Sequence, residues 1–114
     1  MIKHLLALLI VAAWSISPVA SAERVAKVAV LSSGVVLLDG KQTTLQALEE
    51  HFKGLKATGG AVWYYRENPR AEPTAQAMAV VQLIIKYQLS VSMSSKRDFS
   101  DYIDQDGISR PRPR

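Results

Sequence analysis

The sequence contains no cysteine. Disulfide frameworks, thiolate metal sites and cysteine nucleophiles are therefore excluded. Only two histidines occur, His4 and His51. His4 falls in the apolar leader described below. His51 then has no second imidazole with which to build a metal site and no evident nucleophile to activate. The glycines at 34, 40, 54, 59 and 60 make no phosphate-cradling pattern. No acidic or basic excess belongs to the body of the chain either. The formal charge is +4 over 114 residues, but Lys3, Arg110, Arg112 and Arg114 account for it, and Glu23 to Ser109 holds ten basic and ten acidic residues. Nucleic-acid binding has no electrostatic basis in such a domain. No cofactor site and no metal site is legible.

What is present begins with an address. Met1 to His4 carries one lysine, Leu5 to Trp14 is apolar throughout, and Ala20-Ser21-Ala22 precedes the polar Glu23-Arg24. A charged start, an apolar middle and an A-x-A end describe a secretory signal spanning residues 1–22, with Ala20 and Ala22 as the residues read at cleavage. Ten apolar residues fall short of the ~20 that span a bilayer. The expected product is periplasmic or secreted, with no membrane span after cleavage. Retention of the run as a short anchor is the alternative.

Residues 23–106 read as one small α+β domain. Alternation predicts a strand over 24–31, with Ala26, Val28 and Val30 on one face. Ser32-Ser33-Gly34 is a turn, Val35 to Leu38 a second strand, and Asp39-Gly40 supplies the chemistry of a tight turn. Thr43 followed by Gln46 predicts a capping box. Behind it Leu45, Leu48, Phe52 and Leu55 recur at helical spacing, and Glu49 with Lys53 forms an i,i+4 pair. Gly59-Gly60 closes that helix. Ala61 to Tyr65 is aromatic and β-branched, the composition of a strand. A second helix runs from Glu72-Pro73-Thr74 to about Tyr87, with Ala77, Val81, Ile84 and Ile85 as its buried stripe and Met78 beside them. Leu89, Val91 and Met93 alternate with serines and predict a strand with one polar face. Residues 107–114 have no apolar anchor and read as a disordered tail. The order β-β-α-β-α-β predicts a two-layer fold, with about four strands and two helices on one face. The uncovered face would carry Lys27, Ser90 and Ser92. If Trp63 and Tyr65 share it, that face invites a partner. The competing expectation puts Trp63 in the core.

Few residues point to a reaction. Asp98, Asp101, Asp104 and Asp106 crowd together, but their spacing is not that of a calcium loop, and a solvated polar segment is the expectation. Ser94-Ser95-Lys96 lacks the spacing of a serine-lysine pair. Arg66, Glu67, Asn68 and Arg70 form the loop after the aromatic strand, a place where function often sits. Trp63, Tyr65, Arg66, Glu67 and Asn68 are the candidate interaction surface.

The stretch Gly34-Val35-Val36-Leu37-Leu38-Asp39-Gly40-Lys41, followed by Thr44-Leu45 and Leu48, resembles the periplasmic domain of the ExbD/TolR family, and the later order of elements to Met93 agrees with it. The resemblance covers about Val28 to Ser94. It implies the fold, a Gram-negative envelope setting, and partners such as an envelope protein, cell-wall glycan or a second copy of the chain. It implies no catalytic residue. The family's transmembrane helix carries a membrane-embedded aspartate, whereas residues 1–22 contain neither Asp nor Glu, so proton coupling is not carried over. Arg66 also stands where the family tends to place an acid, with Glu67 next to it. A non-enzymatic binding or adaptor domain is therefore the expectation. A small exported hydrolase or lyase using Glu67, Asp39 or the C-terminal aspartates is the alternative.

Overall fold

The structure, a computed structural model, describes residues 24–113. The predicted leader, with Ala20 and Ala22, lies outside the described residues. The chain folds as α+β. In order, the elements are β1 (Val25–Val30), β2 (Val36–Leu38), β3 (Lys41–Thr43), α1 (Leu45–Ala57), β4 (Ala61–Arg66), α2 (Ala75–Lys86), β5 (Ser90–Ser94), β6 (Asp101–Ile103) and β7 (Ser109–Pro111). The main sheet has five strands in the order β3-β2-β1-β4-β5. It is mixed: β1 pairs antiparallel with β2 and parallel with β4, and β4 pairs parallel with β5. β6 and β7 form a separate antiparallel ribbon.

Alternation predicts neither β3 nor the ribbon strands β6 and β7, so the expected four strands become a sheet of five and a ribbon of two. Asp39 and Gly40 both adopt positive φ, 51° and 86°, which is the primed turn favoured in two-residue hairpins. The chain therefore reverses at once, and Lys41–Thr43 pairs back on β2. The Asp39 carboxylate fixes this corner by accepting from the Lys27 N–H at 3.0 Å. Because Thr43 is consumed by the strand, the helix cap moves one residue on. Thr44 is the N-cap of α1, its hydroxyl accepting from the Ala47 N–H at 3.1 Å, so the predicted Thr43–Gln46 box is not formed.

The core lies between the sheet and the two helices. Ala26, Val28 and Val30 of β1 meet Val62 and Tyr64 of β4, and Leu48, Phe52 and Leu55 of α1 pack down on them. The expected i,i+4 pair within α1 is replaced. Lys53 binds Glu50 at 2.9 Å, and Glu49 reaches across to α2, accepting from Lys86 at 2.7 Å and from the Tyr87 hydroxyl at 2.6 Å. Glu49 thus clips the two helices together.

On α2 the buried stripe is Ala77, Val80 and Ile84. Val81 and Ile85, expected inside, are 39% and 61% exposed. The apolar arc of this helix is wider than the surface available to cover it.

The opposite face of the sheet is not open. Residues 107–113, expected to be disordered, return as β7 and pair with β6, the Tyr102–Arg110 and Ile103–Ser109 registers holding the ribbon. The anchor is polar, which is why an apolar pattern did not reveal it. Asp101 is only 2% exposed, against the expectation of a solvated acid. Its carboxylate accepts from the Ser95 and Ser109 hydroxyls and from the Ser95 and Lys96 N–H groups. Burial works to raise its pKa; those hydrogen bonds override it and hold the group at about 2.

Candidate functional site

The candidate surface is defined by what two helices leave bare. Strands lie ~4.8 Å apart, so five of them span roughly 20–25 Å. Two helices packed 8–10 Å apart cover about four of those strands. The uncovered strand at one end is β5, whose helix-side residues are Val91 and Met93. They are 47% and 44% exposed, whereas Ser94 is buried at 7%. This inverts the expectation that the apolar side of β5 is its buried side. Ser94 is buried because it points to the other face, where its hydroxyl donates to the Asp101 carbonyl at 2.9 Å and accepts from Arg112 at 2.8 Å.

Beside β5 runs the bare flank of α2. Thr74 caps this helix by accepting from the Ala77 N–H at 3.1 Å. The cap fixes the start of the helix, and Ala77, Val80 and Ile84 take the inward stripe. Met78, Val81 and Ile85 are left exposed beside that stripe, and Met78 and Val81 line the space toward β5. Between α2 and the ends of β4 and β5 lies an apolar groove of about 350 Å³, lined chiefly by Tyr64, Pro69, Pro73, Met78, Val81 and Met93. Arg66 closes one end, its guanidinium donating to the carbonyls of Pro69 and Ala71. Burial raises the pKa of Tyr64 at the groove floor, so the phenol stays neutral there.

The residues singled out from sequence go elsewhere. Trp63 and Tyr65 do share the face opposite the helices, as their alternation requires. Both are covered there: Arg112 lies 3.8 Å from the Trp63 ring centroid, and Phe99 meets Tyr65 edge-on at 6.4 Å. Arg66 is occupied with its own loop. The Glu67 carboxylate accepts from the Ser32 N–H and hydroxyl, both at 2.8 Å, and these bonds hold its pKa below the ordinary value. Asn68 takes a positive φ of 55° in an exposed turn.

Asp39 and Glu67 sit at opposite ends of β1, since Asp39 binds Lys27 while the Glu67 N–H donates to Val30. Asp39 instead shares a shallow hollow with Glu50 and His51. The remaining aspartates shape the C-terminal loops. Asp98 accepts from the Ser100 N–H. Asp104 accepts from the N–H groups of Asp106 and Ile108 and pairs with Arg110 at 2.8 Å. The Ser94 and Ser95 hydroxyls both serve Asp101 rather than Lys96. Among the described residues no cluster of three or more His, Asp or Glu is placed to hold a metal ion, and no helix is long and apolar enough to cross a membrane.

Sequence reasoning missed the groove because it assigned Val81, Ile85, Val91 and Met93 to the core. One signal was available: the sequence has more apolar stripe than two short helices and one sheet face can bury. Compared with protein-family models and with curated proteins, the sequence matches none.

Proposed function

We propose that this chain is a non-enzymatic binding or adaptor domain of the bacterial envelope, working through the groove between α2 and β5. The observation that carries this reading is that Met78, Val81 and Met93, all exposed, line one groove between α2 and the ends of β4 and β5. Scattered exposed apolar residues are ordinary on a monomer; a group of them lining one groove is the mark of an interaction site. The α+β fold and the resemblance of residues 28–94 to the ExbD/TolR periplasmic domain support an envelope setting, and the A-x-A ending at Ala22 supports export.

The enzymatic alternative draws little support from the geometry. Glu67 and Asp39 lie at opposite ends of β1, each already bound to backbone N–H groups, and paired-carboxylate hydrolysis needs two acids flanking one bond.

The test is photocrosslinking in cells from positions 78, 81 and 91, with positions 51 and 106 as controls on other surfaces. Adducts confined to the first set, to an envelope protein, to cell-wall glycan or to the chain itself, are the expected result. Equal adducts from both sets, or none from either, overturn the reading. Mass spectrometry of the exported chain checks the leader, for which a first residue of Glu23 is expected.

A further inference from the structure

Resting on the reading of this groove as the binding surface, we infer that it takes a free fatty acid, an amphiphile with one carboxylate and one unbranched chain. The head sits on Arg66 and the Tyr64 hydroxyl, and the chain lies along Met78, Val81 and Met93.

The first observation is a polar group with nothing to bind. Tyr64 is only 4% exposed, and it lines the groove. A buried phenol ordinarily has a hydrogen-bond partner. Among the described residues the Tyr64 hydroxyl has none, and its titration is governed by burial, which raises its pKa, and by the opposing charge of Arg66. No fully enclosed side-chain polar atom is left unpaired among those residues. The hydroxyl therefore opens into the groove. It stays protonated and offers a donor there.

The second is a cation without a counter-charge. Arg66 is the one charged residue lining the groove, and it is half-buried. One of its terminal nitrogens donates to the Pro69 and Ala71 carbonyls, and its other N–H groups bind nothing among the described residues. The ion pairs there join Lys53 to Glu50, Lys86 to Glu49 and Arg110 to Asp104, none of them involving Arg66. Its chain neighbour Glu67 accepts from Ser32 and, with Glu72, lines an adjoining hollow instead of the groove. A guanidinium and a phenol that share one groove make a two-point grip for a carboxylate.

The third is what the rest of the lining lacks, and it selects a fatty acid over a peptide. Most of the other lining side chains, Met78, Val81 and Met93 among them, are apolar. The Ser94 hydroxyl gives its one proton to the Asp101 carbonyl and accepts from Arg112. Gln82 is exposed to solvent. A peptide laid in the groove would bury amide groups with no partners, at a cost for each. A fatty acid brings one head and a chain that needs none. The methionine side chains adapt to such a flexible guest. The volume of about 350 Å³ lies at the small end of ligand sites, which suits a chain of medium length.

The experiment titrates the purified full chain with decanoate, below its micelle concentration, and follows methionine methyl signals by NMR. Met78 and Met93 are the only methionines after residue 1, and both line the groove. Saturable shifts of both are expected by about 1 mM, with the ring signals of His51, on another surface, unmoved. Affinity should rise about two- to fourfold for each methylene between octanoate and decanoate. Decyltrimethylammonium, with the same chain and the opposite charge, should bind at least about tenfold more weakly. Tyr64→Phe keeps the ring in the core and should weaken decanoate at least about fivefold. Arg66→Gln should weaken it at least about tenfold. Because Arg66 also holds its own loop, circular dichroism checks that variant, and the comparison of the two amphiphiles on the unaltered chain does not depend on it.

No saturable shift, equal affinity for decanoate and decyltrimethylammonium, or undiminished binding of decanoate by Tyr64→Phe overturns the proposal. If decanoate does not bind while positions 78 and 81 still crosslink an envelope component, the fatty-acid site fails and the binding surface stands. If decanoate binds as described and no envelope component crosslinks, the fatty-acid site stands and the adaptor reading fails.

Discussion

The Arg112 guanidinium lies 3.8 Å from the centroid of the Trp63 ring. A residue near the end of the chain thus covers the aromatic residue at the middle of β4. The contact is fixed from two further directions, since Arg112 Nε donates to the Phe99 carbonyl at 3.0 Å and its terminal nitrogen to the Ser94 hydroxyl at 2.8 Å. Burial lowers the Arg112 pKa, opposed by the negative field of Asp101.

Replacing Arg112 removes a cation–π contact and two charge-assisted hydrogen bonds. Arg112→Ala is expected to cost about 1–3 kcal/mol, read by urea unfolding. Trp63 is the only tryptophan of residues 24–113, so its emission should shift to the red in the folded variant. Arg112→Lys should recover less than half of the loss, because a planar fork that both stacks and donates twice is not replaced by an ammonium.

Asp101 sets the acid limit of the C-terminal ribbon. Its folded pKa of about 2 lies below the unfolded value. The unfolded chain therefore binds the proton first as pH falls, and the contribution to stability is complete above about pH 4 and lost as pH drops through about 2. Asp101→Asn should lower stability at neutral pH by about 1 kcal/mol or more and flatten the dependence between those limits. Acid titrations followed by Trp63 fluorescence, in both proteins, check the sign.

Glu49 and Tyr87 make a second pH-sensitive pair. The hydrogen bond to Glu49 is the main cause of the raised Tyr87 pKa, and burial adds to it. The Lys86 and Tyr87 hydrogen bonds in turn lower that of Glu49. Glu49→Gln is expected to move the Tyr87 titration toward lower pH, while that of Tyr64, raised by burial rather than by Glu49, stays where it is. Ring NMR signals followed through the alkaline range separate the four tyrosines.

Gly60 is a position of close approach. A methyl group placed there would collide with the Leu55 side chain and come within 2.8 Å of the Arg24 carbonyl, at the point where the Ala61 N–H donates to that same carbonyl. Gly60→Ala is expected to destabilise the fold by about 1–3 kcal/mol, while Gly54→Ala, with open space around it, should be neutral or stabilising because it lies inside a helix. Thermal unfolding of the two variants makes the comparison.

Local chemistry made much of the fold legible. The helix opening at Glu72-Pro73-Thr74, the stripe of Leu48, Phe52 and Leu55, and the alternation of Ala26, Val28 and Val30 each report a short-range preference, and each element formed near its expected bounds. What stayed hidden depends on distant partners. Val81 and Ile85 have the composition of core residues, but whether they are covered depends on how many helices share the sheet. Asp101 and Arg112 have the composition of surface residues, yet they are enclosed because Ser95, Ser109 and Trp63 converge on them from positions up to 49 residues apart. The C-terminal ribbon is held by polar contacts, which leave no periodic trace. The candidate site fared worst for the same reason: a groove is made of what packing omits.

The parallel pairing of β1 with β4 also gives the domain a direction. The Arg24 carbonyl accepts from the Ala61 N–H at 2.9 Å, so the chain enters the described fold at the Gly60 end of the sheet. The groove floor at Tyr64 and Arg66 lies toward the other end of β4, about 10–20 Å further along at the rise of a strand. Any attachment that pulls on Arg24, whether to a membrane or to a surface, would hold the domain by the end away from that groove floor. It would also load the central strand in shear against both of its neighbours, the geometry in which a sheet gives up its hydrogen bonds together rather than one at a time.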